Sequence, residues 1–301
     1  MKYAAIVYSH KNIDSKELYN YDIPDSLLEN KKNLEYVLLK TCNRIELYIG
    51  SENAEEDAKS LLKELIDSNI RYEKGITYTG KEAIKHAFYV AAGLDSIVLG
   101  ENEILGQVKS AYTDCINGGK AGTRLEKLFR NVVKTGKKVR ADTKINEGKT
   151  GIYSLAIDYM DKNYNEEEIA VIGAGEEAGR FLNGFSTKRN LKGKIFSREI
   201  EHAKRLAIKY GMDYGTFDPS EIGRYKTVFC AYRSTERFES KEPKLIVDIS
   251  VPHVFEGKNV LHIEELASMT EYTLNKRKEA ANEAGKLVLS KVDEFIDIYG
   301  E

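Results

Sequence analysis

The sequence predicts an α/β protein of two domains followed by a C-terminal helix, and three patterns carry this prediction. Residues 1–150 show strand signals first and helical signals afterwards, which is typical of an α+β domain. Residues 151–265 alternate strand and helix signals, which is typical of a doubly wound parallel sheet. Residues 266–301 keep a helical period with an apolar stripe, and we expect this stripe to pack on the protein or on a partner.

In the first domain, a polar break at Thr41–Arg44 separates two apolar runs, as in a hairpin or a bent strand. Three glycines interrupt the chain before the last helix, and Thr123 is the predicted N-cap of that helix, with Glu126 three residues later. The predicted strands are Ala4–Tyr8, Leu34–Leu39, Ile45–Ile49 and Arg71–Tyr78, and the predicted helices are Ala54–Ile66, Lys81–Ala92, Glu103–Asn117 and Arg124–Val139.

A helical linker near Ile152–Asn163 leads into the second domain, whose first strand has the apolar sequence of a buried parallel strand. The helix that ends the chain is expected from about Ile263 to Ile298. The predicted strands of the second domain are Glu168–Gly173, Lys194–Phe196, Thr227–Cys230 and Leu245–Ile249, and the predicted helices between them include Glu177–Phe185 and Ile200–Tyr210.

Composition is that of an ordinary soluble globular protein, with 42% hydrophobic and 31% charged residues. The N-terminus lacks the pattern of a secretory signal, and no apolar run has membrane-spanning length. The three cysteines are far apart and lack CxxC spacing, so neither a disulfide framework nor a metal site is expected. We therefore expect a cytoplasmic protein in a reducing compartment, where a lone thiol remains reactive.

A local basic stretch contrasts with the net charge of −2, which is not that of a strongly basic nucleic-acid-binding protein. Residues 124–140 carry seven basic side chains and one acidic side chain, on a segment of helical period. Taken alone, this pattern is more typical of a solvated helix face than of a phosphate-binding helix. In the second interpretation, the exposed basic side chains are expected to be Lys134, Lys137 and Lys138.

A glycine-rich turn follows the first strand of the second domain and opens a helix, as a dinucleotide-binding fingerprint requires. Gly173 allows a tight turn, Gly175 allows the pyrophosphate to approach the backbone, and Ala178 allows close helix–strand packing. The anion would lie at the helix N-terminus. The sequence therefore predicts a Rossmann-type domain with cofactor-binding residues Gly173, Ala174, Gly175, Glu176, Glu177 and Ala178.

The end of the next strand discriminates between the two nicotinamide cofactors. NAD-specific sites place an acidic residue there to bind the ribose, whereas here Ser197 and Arg198 offer a hydroxyl and a guanidinium suited to a 2′-phosphate. Glu199, the next residue, is acidic and would instead suit the ribose of NAD. The alternative interpretation of Arg198 is an ordinary arginine at a strand end that binds no phosphate. NADPH is the predicted cofactor.

Cys42 lies in the polar break of the first domain, and a thiol paired with a nicotinamide domain favours thioester chemistry followed by hydride transfer. Arg44 either lowers the pKa of the thiol or binds a carboxylate. In isolation, a single cysteine is more often a small buried hydrophobic residue, and Cys115 and Cys230 fit that description.

Two long segments carry a family resemblance, namely Thr41–Tyr48, TCNRIELY, and Gly93–Lys109, GLDSIVLGENEILGQVK. Both closely resemble the signature blocks of glutamyl-tRNA reductases. The resemblance continues through Gly136–Thr143, the glycine loop, the Ser197–Arg198 strand end and Asp248–Pro252, in the expected order over about residues 1–280.

The resemblance implies a role for each matching position. Cys42 matches the nucleophile, and His86 matches a histidine that orients or protonates groups near the reacting ester. Arg44 matches the partner of the substrate's side-chain carboxylate. Glu103 departs from the family, which commonly has glutamine there. The candidate substrate-binding residues are Thr41, Asn43, Arg44, Ser96, Glu101, Asn102, Glu103 and Gln107.

The implied reaction is NADPH-dependent reduction of glutamyl-tRNA, through a thioester on Cys42, to glutamate-1-semialdehyde with release of tRNA. This is the first step of tetrapyrrole biosynthesis from glutamate. The reactive aldehyde makes glutamate-1-semialdehyde aminomutase an expected partner. Two alternatives are an NADP-dependent dehydrogenase of a small metabolite and a non-catalytic relative that binds tRNA or regulates the pathway.

The resemblance also bears on the end of the chain. Family members usually continue from a long C-terminal helix into a helical dimerisation domain, whereas this sequence ends at Glu301. We therefore expect a short form, natural or truncated, that lacks most of that domain, and the sequence leaves its oligomeric state open.

Overall fold

The structure is a computed structural model of the chain. It describes residues 2–18, 20–29, 31, 34–146, 152–163, 168–234, 236–239, 243–268 and 271–299. The chain forms two compact units, Met1–Gly148 together with Tyr272–Glu301, and Lys149–Glu271. The predicted C-terminal segment 266–301 is thus divided between the two units.

The first unit is an antiparallel sheet covered on both faces, with strand order β2-β3-β1-β4. The element bounds are β1 Tyr3–Ser9, α1 Ser15–Leu18, α2 Asp25–Glu29, β2 Glu35–Lys40, β3 Arg44–Gly50, α3 Ala54–Ser68, β4 Ile76–Thr79, α4 Lys81–Ala92, α5 Glu103–Asn117 and α6 Thr123–Asp142. The strand predicted at Arg71–Tyr78 is shorter, because a 3₁₀ turn, Ile70–Lys74, takes its first half.

The central strand β1 is buried along its whole length because both faces of the sheet carry a hydrophobic core. Alternate side chains of a strand point to opposite faces, so one strand contributes to both cores. The core that includes residues of α4, α5 and α6 receives Tyr3, Ala5 and Val7, and the core that includes residues of α3 receives Ala4, Ile6 and Tyr8.

Helix α6 is capped differently from the sequence prediction. It begins at Thr123, its N-cap is Gly122, and no side chain of the N-cap residue contributes a hydrogen bond. Instead, the Glu35 carboxylate of β2 accepts a hydrogen bond of 2.9 Å from the Leu125 amide. The prediction of a Thr123 cap was wrong because a carboxylate from a distant strand occupies the first turn, where it also favours the helix dipole.

The second unit contains a six-stranded parallel sheet of order β12-β10-β8-β5-β6-β7, which confirms the predicted doubly wound architecture. Strand β7 was not predicted, because its residues are mostly exposed and lack an apolar run. The element bounds are α7 Ile152–Asn163, β5 Ile169–Ile172, α8 Glu176–Phe185, β6 Gly193–Ser197, α9 Ile200–Tyr210, β7 Asp213–Thr216, β8 Thr227–Cys230, β9 Phe238–Glu239, β10 Leu245–Asp248, β11 Phe255–Glu256, β12 Val260–His262 and α10 Ile263–Ser268.

The last helix, α11 Glu271–Tyr299, packs on the first unit through the predicted apolar stripe. Val288, Val292 and Phe295 are buried in the core that also contains α4 and α6. The Phe295 ring lies 6.1 Å from Tyr3 and 6.1 Å from Phe88, measured between ring centroids. Within the described part of the chain, no helix combines the length and the apolar character needed to cross a bilayer.

Candidate active site

Cys42 lies at the tip of the tight turn that joins β2 to β3. The amide of Thr41 donates to the carbonyl of Arg44 at 2.9 Å, which closes the turn around Cys42 and Asn43. The Thr41 hydroxyl oxygen accepts hydrogen bonds of 3.1 Å from the amides of both Asn43 and Arg44. This side-chain cap explains the polar break in the sequence, and it leaves Cys42 exposed.

The other two cysteines are buried, as the sequence predicted. Burial raises the pKa of the Cys230 thiol well above its usual value, with the Asp248 carboxylate adding to the rise. A thiol held in its neutral form is a poor nucleophile. Cys42 is therefore the cysteine whose position suits covalent chemistry.

Directly after the turn, the guanidinium of Arg44 is buried between two carboxylates. Its Nη1 donates to Glu46 Oε1 at 2.7 Å and to Asp95 Oδ2 at 2.9 Å, and its Nη2 donates to the Asp95 carbonyl at 2.7 Å. Arg44 is 1% exposed. The predicted binding of the substrate carboxylate by Arg44 requires these contacts to rearrange, and it stays a prediction.

Glu46 connects Arg44 to the candidate histidine. Burial alone would raise the pKa of this carboxyl, but its neighbours His86 and Arg44, with hydrogen bonds from His86 and Tyr48, hold the pKa well below its usual range. Because ionised Glu46 only accepts, Nε2 of His86 carries the proton of their 3.1 Å hydrogen bond. The His86 ring also stacks on Tyr78, with ring centroids 4.8 Å apart. The imidazole is thus fixed in position and tautomer.

Asp95 ties the loop after α4 to the same network. Besides Arg44, it contacts the ammonium group of Lys11, which follows β1. The loop from residue 93 to residue 100 closes with a hydrogen bond of 2.9 Å from the Gly100 amide to the Gly93 carbonyl. Gly100 has φ of 77°, and a Cβ there would lie 2.2 Å from the Ile145 carbonyl oxygen, so only glycine fits. This loop carries Ser96, which is buried.

The remaining substrate candidates lie directly before α5 or in its first two turns. Burial raises the pKa of the Glu101 carboxyl and the charge of Glu103 adds to the rise, while the charges of Arg44 and Arg140 oppose it. Arg140 of α6 donates to the Glu101 carbonyl at 2.6 Å and to Asn102 Oδ1 at 3.2 Å. Asn102 is exposed, Glu103 is half-buried and Gln107 is exposed on α5.

The structure thus joins Arg44 and His86 through Glu46 beside the Cys42 turn, and the Arg44 charge acts on Glu101. Ser96 is buried next to Asp95 in the same loop. Sequence reasoning missed Glu46, Asp95 and Lys11 as members of it. Glu46 carried a usable signal, because residues two apart on a strand share a face and Glu46 follows Arg44 by two. Asp95 and Lys11 carried none, since only tertiary packing brings them to the turn.

The glycine loop of the second unit has the geometry that a dinucleotide requires. Gly173 has φ of 107°, and a Cβ there would lie 2.1 Å from the Ala231 carbonyl oxygen. The space around Gly175 is open, with only Glu177 Oε2 at 3.5 Å from the position of a Cβ. Gly175 caps α8 without a side-chain hydrogen bond, so the first-turn amides suit a pyrophosphate. Ala178 is fully buried in α8.

The remaining cofactor candidates surround this loop. Ala174 is half-buried, and Glu176 and Glu177 are exposed in the first turn of α8. Ser197 is buried at the end of β6, and Arg198 follows it at the surface. These residues fit a phosphorylated dinucleotide.

Among the residues that the structure describes, two groups of carboxylates and histidines have potential ligand atoms within 4.8 Å of one another, but neither suits a metal ion. In the group of Glu46, His86 and Asp95, the Arg44 guanidinium already binds both carboxylates. The other group joins Asp248 to His253 and His262, whose rings are stacked 4.0 Å apart at 17°. The in-plane lone pairs of parallel rings do not converge on one ion, so we propose no metal site.

Two family models match the chain. One is described as glutamyl-tRNAGlu reductase, N-terminal domain, and matches residues 7–143, and the other is described as shikimate/quinate 5-dehydrogenase and matches residues 154–275. The chain is 36% identical over an alignment of 309 residues to the glutamyl-tRNA reductase of Saccharolobus solfataricus, with 99% of this chain and 72% of that protein covered.

A second curated relative and a solved structure point to the same family. The identity to the glutamyl-tRNA reductase of Sulfurisphaera tokodaii is 35% over 302 residues, with 97% of this chain and 73% of that protein covered. Among solved structures, the chain is similar to the glutamyl-tRNA reductase from Methanopyrus kandleri, with a TM-score of 0.60 and 25% identity. That match covers 99% of this chain and 80% of the other.

Proposed function

Because this chain belongs to the glutamyl-tRNA reductase family, we propose that it reduces glutamyl-tRNA with NADPH to glutamate-1-semialdehyde and releases tRNA. This is the first step of tetrapyrrole biosynthesis from glutamate. The observation that carries the proposal is the exposed Cys42 at the tip of a turn, beside the buried network of Arg44, Glu46, Asp95 and His86.

The Cys42 thiolate attacks the ester carbonyl that joins glutamate to the tRNA 3′ end. The bond from that carbonyl to the ribose oxygen breaks, tRNA leaves and a glutamyl thioester remains on Cys42. NADPH is the source of hydride when it is bound at the glycine loop. The hemithioacetal on Cys42 then collapses to the aldehyde and regenerates the thiolate.

The buried residues support this chemistry by fixing the groups around the thiol. Thr41 holds the turn through two backbone amides, and Glu46 fixes His86 in one tautomer with a proton on Nε2. We assign His86 to orient or protonate groups of the reacting ester. Ser96, Glu101 and Gln107 are the proposed residues of the glutamyl pocket, together with Asn43.

The product aldehyde is reactive, so its transfer to a second enzyme is advantageous. We propose glutamate-1-semialdehyde aminomutase as the partner that receives it. Co-sedimentation of the two purified proteins tests this partnership.

The two alternatives have less support. A dehydrogenase of a small metabolite has no use for a thiol at an exposed turn, and it would turn over without tRNA. A non-catalytic relative has no need of both the thiol and an intact glycine loop. Incubation with glutamyl-tRNA and NADPH, followed by trapping of the aldehyde, tests the proposal, and absence of aldehyde would overturn it.

Arg198→Ala is expected to raise the KM for NADPH by about 10- to 140-fold, because a charge-assisted hydrogen bond contributes about 1.5–3 kcal/mol. The KM for NADH should change far less, since NADH lacks the 2′-phosphate. Steady-state kinetics with both cofactors give the comparison. Equal changes in both KM values would show that Arg198 does not read that phosphate.

The tRNA-binding surface is expected on α6. Arg124 and Arg140 at the ends of the basic stretch are engaged with Glu35, Glu52 and backbone carbonyls, so they are not assigned to RNA. Lys134, Lys137 and Lys138 are exposed between them. Lys138 also forms a surface ion pair of 2.5 Å with Asp142, which an incoming phosphate can replace at little cost.

Reversal of Lys134, Lys137 and Lys138 to glutamate should weaken tRNA binding and lower the slope of log K against log salt by up to about 3. Reactivity of Cys42 toward a small activated ester should not change. The matched control reverses three exposed lysines elsewhere on the first unit, namely Lys59, Lys63 and Lys74. Equal binding by both triple variants would show that α6 is only a solvated face.

A further inference from the structure

The guanidinium of Arg198 is held by an aromatic side chain from another strand end. Its Cζ lies 5.2 Å from the centroid of the Tyr232 ring, and its Nε donates to Tyr232 Oη at 3.2 Å. Its Nη2 also donates to the Arg233 carbonyl. An exposed arginine is thus bound through its face, its Nε–H and one Nη2–H.

This contact lies beside the glycine loop. In the sheet order β8-β5-β6, Arg198 follows β6 and Tyr232 lies two residues after β8, with β5 between them. The Gly173 amide donates to the Phe196 carbonyl at 2.8 Å, and the Ala231 amide donates to the Ile172 carbonyl at 2.8 Å. The segments that carry Arg198 and Tyr232 therefore flank the glycine loop on its two sides.

Tyr232 is itself held in place. Its amide donates to Ser250 Oγ at 3.0 Å, and its ring packs on Phe217 with centroids 5.1 Å apart. Phe217 contacts Phe238 and Phe255 in the same aromatic group. Tyr232 is thus a supported platform for a side chain that would otherwise sample many rotamers.

We propose that Tyr232 is a positioning residue that determines the preference of this chain for NADPH, because it preorganises Arg198 for the 2′-phosphate. The inference rests on the proposed NADPH-dependent function. Arginine carries five N–H donors and a phosphate needs two of them, so the two N–H groups already engaged leave enough. A guanidinium that is ordered before binding loses less conformational entropy on binding than a mobile one.

The test separates the hydroxyl from the ring. Tyr232→Phe removes the hydrogen bond and keeps the stacking surface, whereas Tyr232→Leu removes both. The probes are adenosine 2′,5′-bisphosphate and 5′-AMP, whose affinities for the full chain are measured by calorimetry. We expect Tyr232→Leu to weaken the bisphosphate by about 2- to 12-fold and Tyr232→Phe by less, with 5′-AMP affinity unchanged in both. Tyr214→Phe, at an exposed tyrosine of β7, is the matched control and should leave both affinities unchanged.

The ratio of the two affinities is measured on one sample, so a partly unfolded variant does not alter it. In an Arg198→Ala background, Tyr232→Leu should cause no further loss of bisphosphate affinity. Additive losses would overturn the inference, as would equal losses for both probes, which would mean that the ring packs on adenine instead. Tighter bisphosphate binding by Tyr232→Phe would also overturn it, because Tyr232 would then compete with the phosphate. A wild-type chain that does not prefer the bisphosphate would remove the NADPH assignment itself.

Discussion

Cys42→Ser is expected to lower the rate of glutamyl-tRNA reduction by about two orders of magnitude or more, with NADPH binding unchanged. A serine hydroxyl is a far weaker acid and nucleophile than a thiol, and the Cys42 thiol is exposed at the turn. The glycine loop lies in the other compact unit and does not depend on residue 42. Single-turnover assays with labelled glutamyl-tRNA measure both the aldehyde and the trapped thioester.

Two matched controls accompany this variant. Cys115→Ser and Cys230→Ser alter buried cysteines, and both chains should retain aldehyde formation. A serine at position 230 keeps a hydroxyl within reach of Ser250, which the thiol contacts at 3.2 Å. Retention of roughly a tenth of the wild-type rate by Cys42→Ser would exclude the covalent mechanism, because no residual thiol at the turn would explain it.

The helices and strands were predictable from the sequence where a short segment carries its own hydrophobic pattern. Helical periods gave α3 to α6 within a few residues, and the apolar run before the glycine loop gave β5. Strand β7 was not predicted from the sequence, because an edge strand with exposed side chains has no alternation of apolar residues to detect. The hydrogen bond that caps α6 was not predicted, because its acceptor, Glu35, is 90 residues away from Leu125 in the chain.

In the candidate site too, the local features were predictable from the sequence and the tertiary contacts were not. Thr41, Cys42 and the glycine loop are contiguous in sequence, so their chemistry was predictable together. Arg44 was expected at the substrate, yet its guanidinium is buried against Glu46 on the same face of β3 and against Asp95, which the loop after α4 brings to it. The contact of Arg198 with Tyr232, two residues after β8, likewise depends on the order of strands in the sheet, and no local pattern encodes that order.

Loss of the buried Glu46 charge is expected to destabilise the first unit. Glu46 is fully buried and accepts hydrogen bonds from Arg44, Tyr48 and His86. Glu46→Gln keeps the shape and most of the hydrogen bonds, but it removes one of the two negative charges that contact Arg44. Leaving a buried charge without compensation costs about 3–5 kcal/mol, and because Asp95 still faces Arg44 we expect a loss below that range. Glu55→Gln, at an exposed pair with Lys59, is the control and should unfold like the wild type.

This loss should depend on pH in a defined direction. Since the pKa of Glu46 is depressed in the folded chain, its ionised form stabilises the fold above the unfolded-state value of about 4.3, and that contribution decreases as the pH falls toward the folded-state value. The Gln variant has no such contribution to lose. The difference in unfolding free energy between the wild type and Glu46→Gln should therefore have its largest value at pH 7 and should decrease as the pH falls below about 4. Urea titrations at several pH values measure it, and a difference that stays constant down to pH 3 would show that lost packing, not lost charge, causes the destabilisation.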